Sequence, residues 1–454
     1  MKFDHPIGRA VRTEFGDWRL WWSRAVVVAA ASAAGVIVVG FSWLADSALS
    51  LFFQLYMFCW WAPLLWTPLS AAAIAAATRR YAPGTAGSGI PQVMAALDPT
   101  VDANQRGLFV SLKLSAAKIG LTGAGMLAGL SLGREGPCVQ IAAGVMLAAR
   151  RFLPKRSSVT AHGLLVAGGA AGIAAAFNTP LAGVMFAIEE LSRNPEERNS
   201  GLLVAAIVLS GVIAVSIGGN APYFGMIHPG QIGLALLLPG LMVAGGSGIA
   251  GGLFSRLLIA SLSDQTKDAP SRLRRARPVL FAALCGLVVA GLGMLTSGAI
   301  FGSGYSHTRN MLDGSESAPA AYVLFKFVAT WLTAWSGVPA GIFAPSLAIG
   351  AALGNALSEL TAFAHSPALI ALGMVGFLAA ATQAPLTAFI IVMEMVDGHA
   401  MVLSLMACAL VAASIARLLS APLYPTLAAL QLRRLESIKV LAPETSVQSA
   451  PMEK

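Results

Sequence analysis

The residue whose chemistry stands out is Glu135, an acid set in Gly133-Arg134-Glu135-Gly136-Pro137 between apolar stretches. A charged group in such surroundings costs on the order of 2.5–3.5 kcal/mol on membrane-insertion scales, so it needs a partner or a function. Two further breaks share the pattern of glycine followed by proline: Gly87-Ser88-Gly89-Ile90-Pro91 and Gly341-Ile342-Phe343-Ala344-Pro345. Proline fits a first helical turn, where its missing N–H is not needed, and glycine lets backbones approach closely. Each break is therefore expected to start a helix whose free amides and positive dipole end favour an anion. Inside a bilayer no water competes for those amides. Several such tips meeting at one point would hold a desolvated anion by partial charges, loosely enough for it to leave. Glu135 would compete for the same seat, blocking it as a carboxylate and releasing it when protonated. The plainer alternative is an ion pair between Glu135 and Arg134 at an aqueous edge.

The elements that must position these residues are membrane spans. Of 454 residues, 56% are hydrophobic and 11% charged, against about 25% charged in a typical soluble chain. Residues 25–45 carry no charge, and longer uncharged stretches follow at 47–78, 157–188, 199–255, 327–358 and 360–393. About 20 apolar residues cross a hydrocarbon core. Shorter apolar pieces at 86–97, 119–133, 136–149, 180–193, 341–358 and 385–396 are interrupted by Gly and Pro. These are expected as half-helices or tilted pieces whose ends lie inside the protein. The formal net charge of +9 sits in short clusters between spans: Arg9 to Arg24, Arg79-Arg80, Arg150 to Arg156, Arg272 to Arg277, and Arg433-Arg434. That is a topology pattern, not a nucleic-acid surface. It predicts a cytoplasmic N-terminus, 263–278 loop and C-terminal tail. Trp18, Trp21 and Trp22 beside Arg19 and Arg24 read as an interfacial helix before the first span, within residues 1–24.

An internal repeat divides the remainder. Residues 168–190 and 373–395 align at an offset of 205, pairing Gly168 with Gly373, Pro180 with Pro385 and Glu189 with Glu394. The same offset sets Gly136 on Gly341, and the two Gly-Ser-Gly stretches, 87–89 and 302–304, match at 215. The expected units are residues 25–200 and 201–425, followed by a short tail at 426–454 too small to build a soluble regulatory domain. The repeat leaves the relative orientation of the halves open.

Taken together and in this order, GSGIP, GREGP, AAAFNTPLAGVMFAIEE (174–190), VPAGIFAP (338–345) and Pro422-Leu423-Tyr424 resemble the CLC family of chloride channels and chloride/proton antiporters, over about residues 50–430. The resemblance implies an all-α polytopic CLC-like bundle of two repeats, inverted relative to each other, with many short or broken helices. It implies secondary active exchange of chloride for protons, the alternative being a passive chloride channel on the same scaffold. Glu135 takes the role of gating glutamate and Glu190 that of inner proton-transfer acid. Ser88, with Gly89, and Tyr424 match the positions that coordinate the central anion, together with the backbone at Ile342 and Phe343. Arg134 matches the outer-pathway cation and Gly136 belongs to the same motif. Lys118 also matches a family position, its alternative being a lysine reaching for headgroups. The family works as a homodimer with one pathway per subunit, here expected in the inner (plasma) membrane. Ala340 and Cys138 depart from the common glycine and threonine at their positions, and neither removes a proposed ligand. Glu189, aligned with Glu394, is expected to serve in capping or dimer packing rather than in chemistry.

An enzyme needs an assembled constellation, and none is visible. The six histidines show no metal-type spacing and no HExxH. The four cysteines, Cys59, Cys138, Cys285 and Cys408, lie in apolar segments without CxxC spacing and read as packing residues. No metal, nucleotide or organic cofactor and no nucleic-acid partner is expected.

Overall fold

The computed structural model describes residues 18–155, 157–192, 201–219, 221–227, 233–263, 266–361 and 366–441. Among these it contains eighteen α-helices and no extended strand. The first half comprises α1 (Trp18–Phe58), α2 (Pro63–Tyr81), α3 (Ile90–Leu97), α4 (Leu112–Leu127), α5 (Glu135–Ala148), α6 (Ala161–Phe177), α7 (Pro180–Phe186) and α8 (Gly201–Gly218). The second comprises α9 (Leu237–Leu262), α10 (Ala269–Ala276), α11 (Pro278–Leu295), α12 (Tyr305–Leu312), α13 (Ala320–Trp335), α14 (Phe343–Thr361), α15 (Ser366–Thr382), α16 (Pro385–Met395), α17 (Val402–Leu419) and α18 (Leu423–Leu441).

Helix lengths follow the punctuation of the sequence. Proline opens α2, α7, α11 and α16 in their first turns, where it costs no hydrogen bond. Among the described residues five helices are long and apolar enough to cross a membrane: Trp18–Phe58, Gly201–Gly218, Leu237–Leu262, Pro278–Leu295 and His399–Leu419. Their outer faces carry exposed Leu280, Leu284, Leu287, Leu403, Leu410 and Leu418, a surface suited to lipid and unsuited to water. Trp18, Trp21 and Trp22 belong to the first turns of α1 rather than to a separate interfacial helix. At 41 residues α1 is about 60 Å long, twice the hydrocarbon thickness, so it tilts or emerges beyond the bilayer. The piece expected at 119–133 is instead the second half of α4 and the loop after it. Residues 1–17, Arg156, Arg193, Arg198, His228, His365 and 442–454 lie outside the described residues.

The halves are related by reciprocal contacts. Glu189 accepts hydrogen bonds from the amides of Leu386 and Thr387 at the start of α16, at 3.1 and 2.6 Å. Its repeat partner Glu394 accepts from Leu181 and Ala182 at the start of α7, at 3.2 and 2.8 Å. Between them Gly133 and Gly341 exchange backbone hydrogen bonds as an antiparallel pair, at 2.8 and 3.1 Å. When each member of a repeat meets the other's counterpart, a two-fold axis relates them, as in transporter bundles built from two structural repeats. The glutamates satisfy helix-start amides that no intrahelical carbonyl can reach. Glu394→Ala is expected to lower stability by about 1–2 kcal/mol, read as a lower thermal midpoint of the detergent-solubilised protein, while alanine at an exposed helical acid such as Glu436 would leave it unmoved.

Buried lysines repeat the theme within each half. Lys118 is fully buried and donates to the carbonyls of Thr85 and Gly87 at 2.8 and 2.6 Å. Lys326, also fully buried, donates to Ile300 and Gly302, both at 2.8 Å. Each lysine thus holds the turn that leads into its own Gly-Ser-Gly stretch, and Lys118 does not reach for headgroups. Close helix contact relies on glycine. A Cβ on Gly168 would lie 2.7 Å from the Ala143 backbone, and one on Gly251 would lie 2.6 Å from Ala380.

Candidate anion site at the helix tips

Three helix starts converge where the two halves meet. Gly89 precedes α3 with φ +112°, a conformation open to glycine. Its α-carbon sits against the start of α5, so that an added Cβ would lie 2.6 Å from the Gly136 carbonyl. The amide of Ala340, just before α14, donates to the Gly87 carbonyl at 3.2 Å. Gly87 also takes the Lys118 ammonium, and the Gly133–Gly341 pair joins the α5 start to the α14 start. GSGIP, GREGP and GIFAP are therefore tied together through main chain. This explains why alanine serves at position 340, where only the backbone takes part.

Ser88, Ile342 and Tyr424 line one cavity of about 90 Å³, room for several water-sized particles. The Ser88 and Tyr424 hydroxyls are buried and near enough to interact with each other, and among the described residues neither makes a hydrogen bond within 3.5 Å. Two hydroxyl donors this weakly engaged on one wall suit an anion. The Tyr424 ring stacks on Phe343, centroids 5.9 Å apart and planes 13° apart. Phe343 is flanked in turn by Phe177 and Phe186. Outward from Tyr424 the cavity reaches Arg274 and Arg434. It merges there with a wider recess of about 650 Å³ that adds Arg79 and Arg275. Three of the basic clusters thus share one mouth.

Glu135 does not open onto that cavity. It is fully buried in the first turn of α5, and its Oε2 accepts from the Ala344 amide at 3.4 Å. Oε1 has no partner among the described residues. The carboxylate therefore sits at the tip of α14, one residue from Phe343, where helix-end amides suit negative charge. Arg134 is near enough for its charge to act on Glu135, but its ion pair lies elsewhere. Its guanidinium donates to the Ser42 carbonyl at 2.9 Å, pairs with Asp46 of α1, and reaches the Tyr223 hydroxyl at 3.3 Å. The ion pair weighed against a gating role is thus made by Asp46 and not by Glu135.

Glu190 does not line that cavity; it is half-buried on a π-helical turn, Ala187–Leu191, that continues α7, near enough for its charge to act on Tyr424. Such turns are frequent at functional sites. Its neighbour Glu189 is committed to the α16 start, so the adjacent acids have different surroundings. Phe186, one turn earlier, meets the Phe343 ring edge-on with centroids 6.5 Å apart. Sequence inspection passed over Asp46, Lys326 and Tyr223. The Lys326 signal was present, since it follows the second-half pattern much as Lys118 follows the first.

Converging helix tips, two buried hydroxyls and a buried carboxylate, inside a two-repeat bundle with membrane-length spans, describe a multi-pass membrane protein with a candidate anion site at its repeat interface. Residues 70–417 match the family described as voltage gated chloride channel, and the chain belongs to this CLC family. It is 32% identical over 361 residues to the H(+)/Cl(-) exchange transporter ClcA of Vibrio parahaemolyticus, covering 77% of this chain and 75% of that protein. To the exchanger of the same name in Citrobacter koseri it is 33% identical over 396 residues, covering 81% and 78%. Its fold resembles the crystal structure of a slow cyanobacterial Cl−/H+ antiporter, with a TM-score of 0.78, 24% identity, and 91% and 98% of the two chains covered. A CLC-type fluoride/proton antiporter follows at 0.74, with 22% identity and 88% and 96% covered.

Proposed function

We propose that the protein exchanges chloride for protons across the membrane, with Glu135 as the gate. The observation that carries this is the seating of the Glu135 carboxylate on the α14 tip, beside a cavity lined by the Ser88 and Tyr424 hydroxyls. A carboxylate and a chloride both suit those amides, and one excludes the other. Protonation cancels the charge of Glu135 and with it the attraction to the helix end, so the side chain leaves and chloride takes the place. Opposite movements are then coupled by competition for one position. Ser88 and Tyr424 donate hydroxyl hydrogens, and the Ile342 and Phe343 backbone lies at the α14 start. Gly89 and Gly136 allow the tips to touch. Hydroxyl and amide donors hold the anion by partial charges there, loosely enough for chloride to leave.

Glu190 supplies the proton route from the inner side, separate from the chloride cavity. The arginine-lined mouth formed by Arg79, Arg274, Arg275 and Arg434 is assigned to the cytoplasm by the positive-inside rule. That supports cytoplasmic termini in an inner-membrane protein. The subunit is proposed to pair with a second copy, each with its own pathway. Its similarity to proton/chloride exchangers favours coupled exchange over a passive channel.

Simultaneous chloride and pH recording from reconstituted liposomes tests this. In the wild type a chloride gradient is expected to drive protons uphill. Glu190→Gln is expected to abolish proton movement, by at least tenfold, while chloride movement continues. A wild type that passes chloride and no protons is a channel, and the exchange proposal then fails.

A further inference from the structure

Two repeat-equivalent residues end their helices in the left-handed conformation: Asn178 after α6, with φ 59°, and Gln383 after α15, with φ 62°. Each uses its side-chain amide to hold a segment that leads into a tyrosine. Gln383 Nε2 donates to the Ser420 carbonyl at 2.8 Å, four residues before Tyr424. Asn178 Nδ2 donates to the Gly219 and Ala221 carbonyls at 3.1 and 3.4 Å, just before Tyr223. The local sequences also correspond, Ala221-Pro222-Tyr223 against Ala421-Pro422-Leu423-Tyr424. The two tyrosines end one series of rings: Tyr424 on Phe343, Phe343 beside Phe177 at 6.2 Å, and Phe177 edge-on to Tyr223 at 5.8 Å. Glu135 lies at the middle of that series, on the amide that follows Phe343.

We infer that Tyr223 is the counterpart of Tyr424 on the Arg134 side of the gate, a second hydroxyl ligand for the chloride that passes Glu135. The inference rests on the exchange reading above and adds a ligand to it. Arg134 donates to the Tyr223 oxygen, so the phenolic hydrogen remains to be given to an anion, and the cation strengthens that donor. With its guanidinium shared among Ser42, Asp46 and Tyr223, Arg134 acts through the tyrosine. The 221–227 segment is held in place for this. The Tyr305 hydroxyl donates to the Tyr223 carbonyl at 2.9 Å, and the Phe224 and Ile227 amides donate to Met395 and Val396 at 2.9 and 3.1 Å. Ring packing on Phe224 and Tyr305, with centroids 5.0 and 4.9 Å away, fixes the side chain.

Tyr223→Phe keeps every ring contact and removes only the hydroxyl. In liposomes carrying the full chain, it is expected to raise the chloride KM about tenfold, the loss of one anion hydrogen bond. The maximal rate and the chloride-to-proton ratio should change less than twofold. Tyr305→Phe removes one tether and leaves the Tyr223 hydroxyl; the Phe224 and Ile227 amide bonds and the ring packing still hold the segment, so KM is expected to stay within twofold of wild type. An unchanged KM in Tyr223→Phe, or an equal shift in Tyr305→Phe, overturns the assignment. Neither result touches the exchange reading, which stands or falls on proton movement in the wild type.

Discussion

Glu135→Ala is expected to abolish chloride-driven proton movement while chloride still crosses, at a rate equal to or above that of the wild type. The carboxylate is fully buried and takes a helix-tip amide for itself. Without it that amide is offered to chloride in every state, so nothing excludes the anion and nothing carries a proton through the same position. Glu135→Gln is expected to behave similarly, because a neutral amide imitates the protonated acid permanently. The measurement is the reversal potential under combined chloride and pH gradients. A coupled exchanger responds to both, whereas either variant should follow chloride alone and lose all dependence on pH. Retained coupling in Glu135→Ala would remove this residue from the mechanism.

The second large effect is expected at Gly89. Alanine there meets two independent obstacles, a backbone at φ +112° and a Cβ placed 2.6 Å from the Gly136 carbonyl and 3.1 Å from Gln140. Strained backbone costs about 1–3 kcal/mol and overpacking a similar amount, so Gly89→Ala is expected to lose several kcal/mol or to part α3 from α5. Either way Ser88 leaves the cavity, and chloride transport should fall at least a hundredfold. Two comparisons isolate the causes. Gly87 has φ +82° with open space around its missing Cβ, so alanine there meets strain alone. Gly120 has neither obstacle, and its alanine variant should transport and unfold like the wild type. If Gly89→Ala matched Gly120→Ala in both assays, the tight approach of the helix tips would not matter to the site.

Much of this arrangement was legible in the chain because the bilayer leaves backbone few choices. Glycine-proline breaks in apolar sequence must place helix ends inside protein, and GSGIP, GREGP and GIFAP do so. The repeat could be read as well, since Glu189 and Glu394 stand at one offset and cap each other's helices. What escaped were contacts set by long-range geometry. Nothing near Asp46 in the sequence says that it faces Arg134, 88 positions later in a different helix. The continuation of Trp18 to Trp22 into a 41-residue helix was hidden because charges at Arg19 and Arg24 mimic an interface boundary. The π-helical turn at Ala187–Leu191 changes which way two adjacent glutamates point, and no residue pattern announces it. Tyr223 escaped for a simpler reason: between Glu189 and Tyr223 the chain is four residues longer than between Glu394 and Tyr424, which breaks the alignment at the place of interest.

The reciprocal glutamates also bear on how the chain is made. Leu181 and Ala182 leave the ribosome long before Glu394, which follows them by more than 200 residues. At about 5–20 residues per second, the early half waits on the order of ten to forty seconds with the start of α7 uncapped and one strand of the Gly133–Gly341 pair unmatched. Throughout that interval it is an incomplete structure within the bilayer, dependent on lipid headgroups, water or the insertion machinery to shelter its open amides. Biogenesis therefore closes in a single late step, when the second half arrives and docks, and a chain cut at its midpoint has no finished pathway to show for its first half.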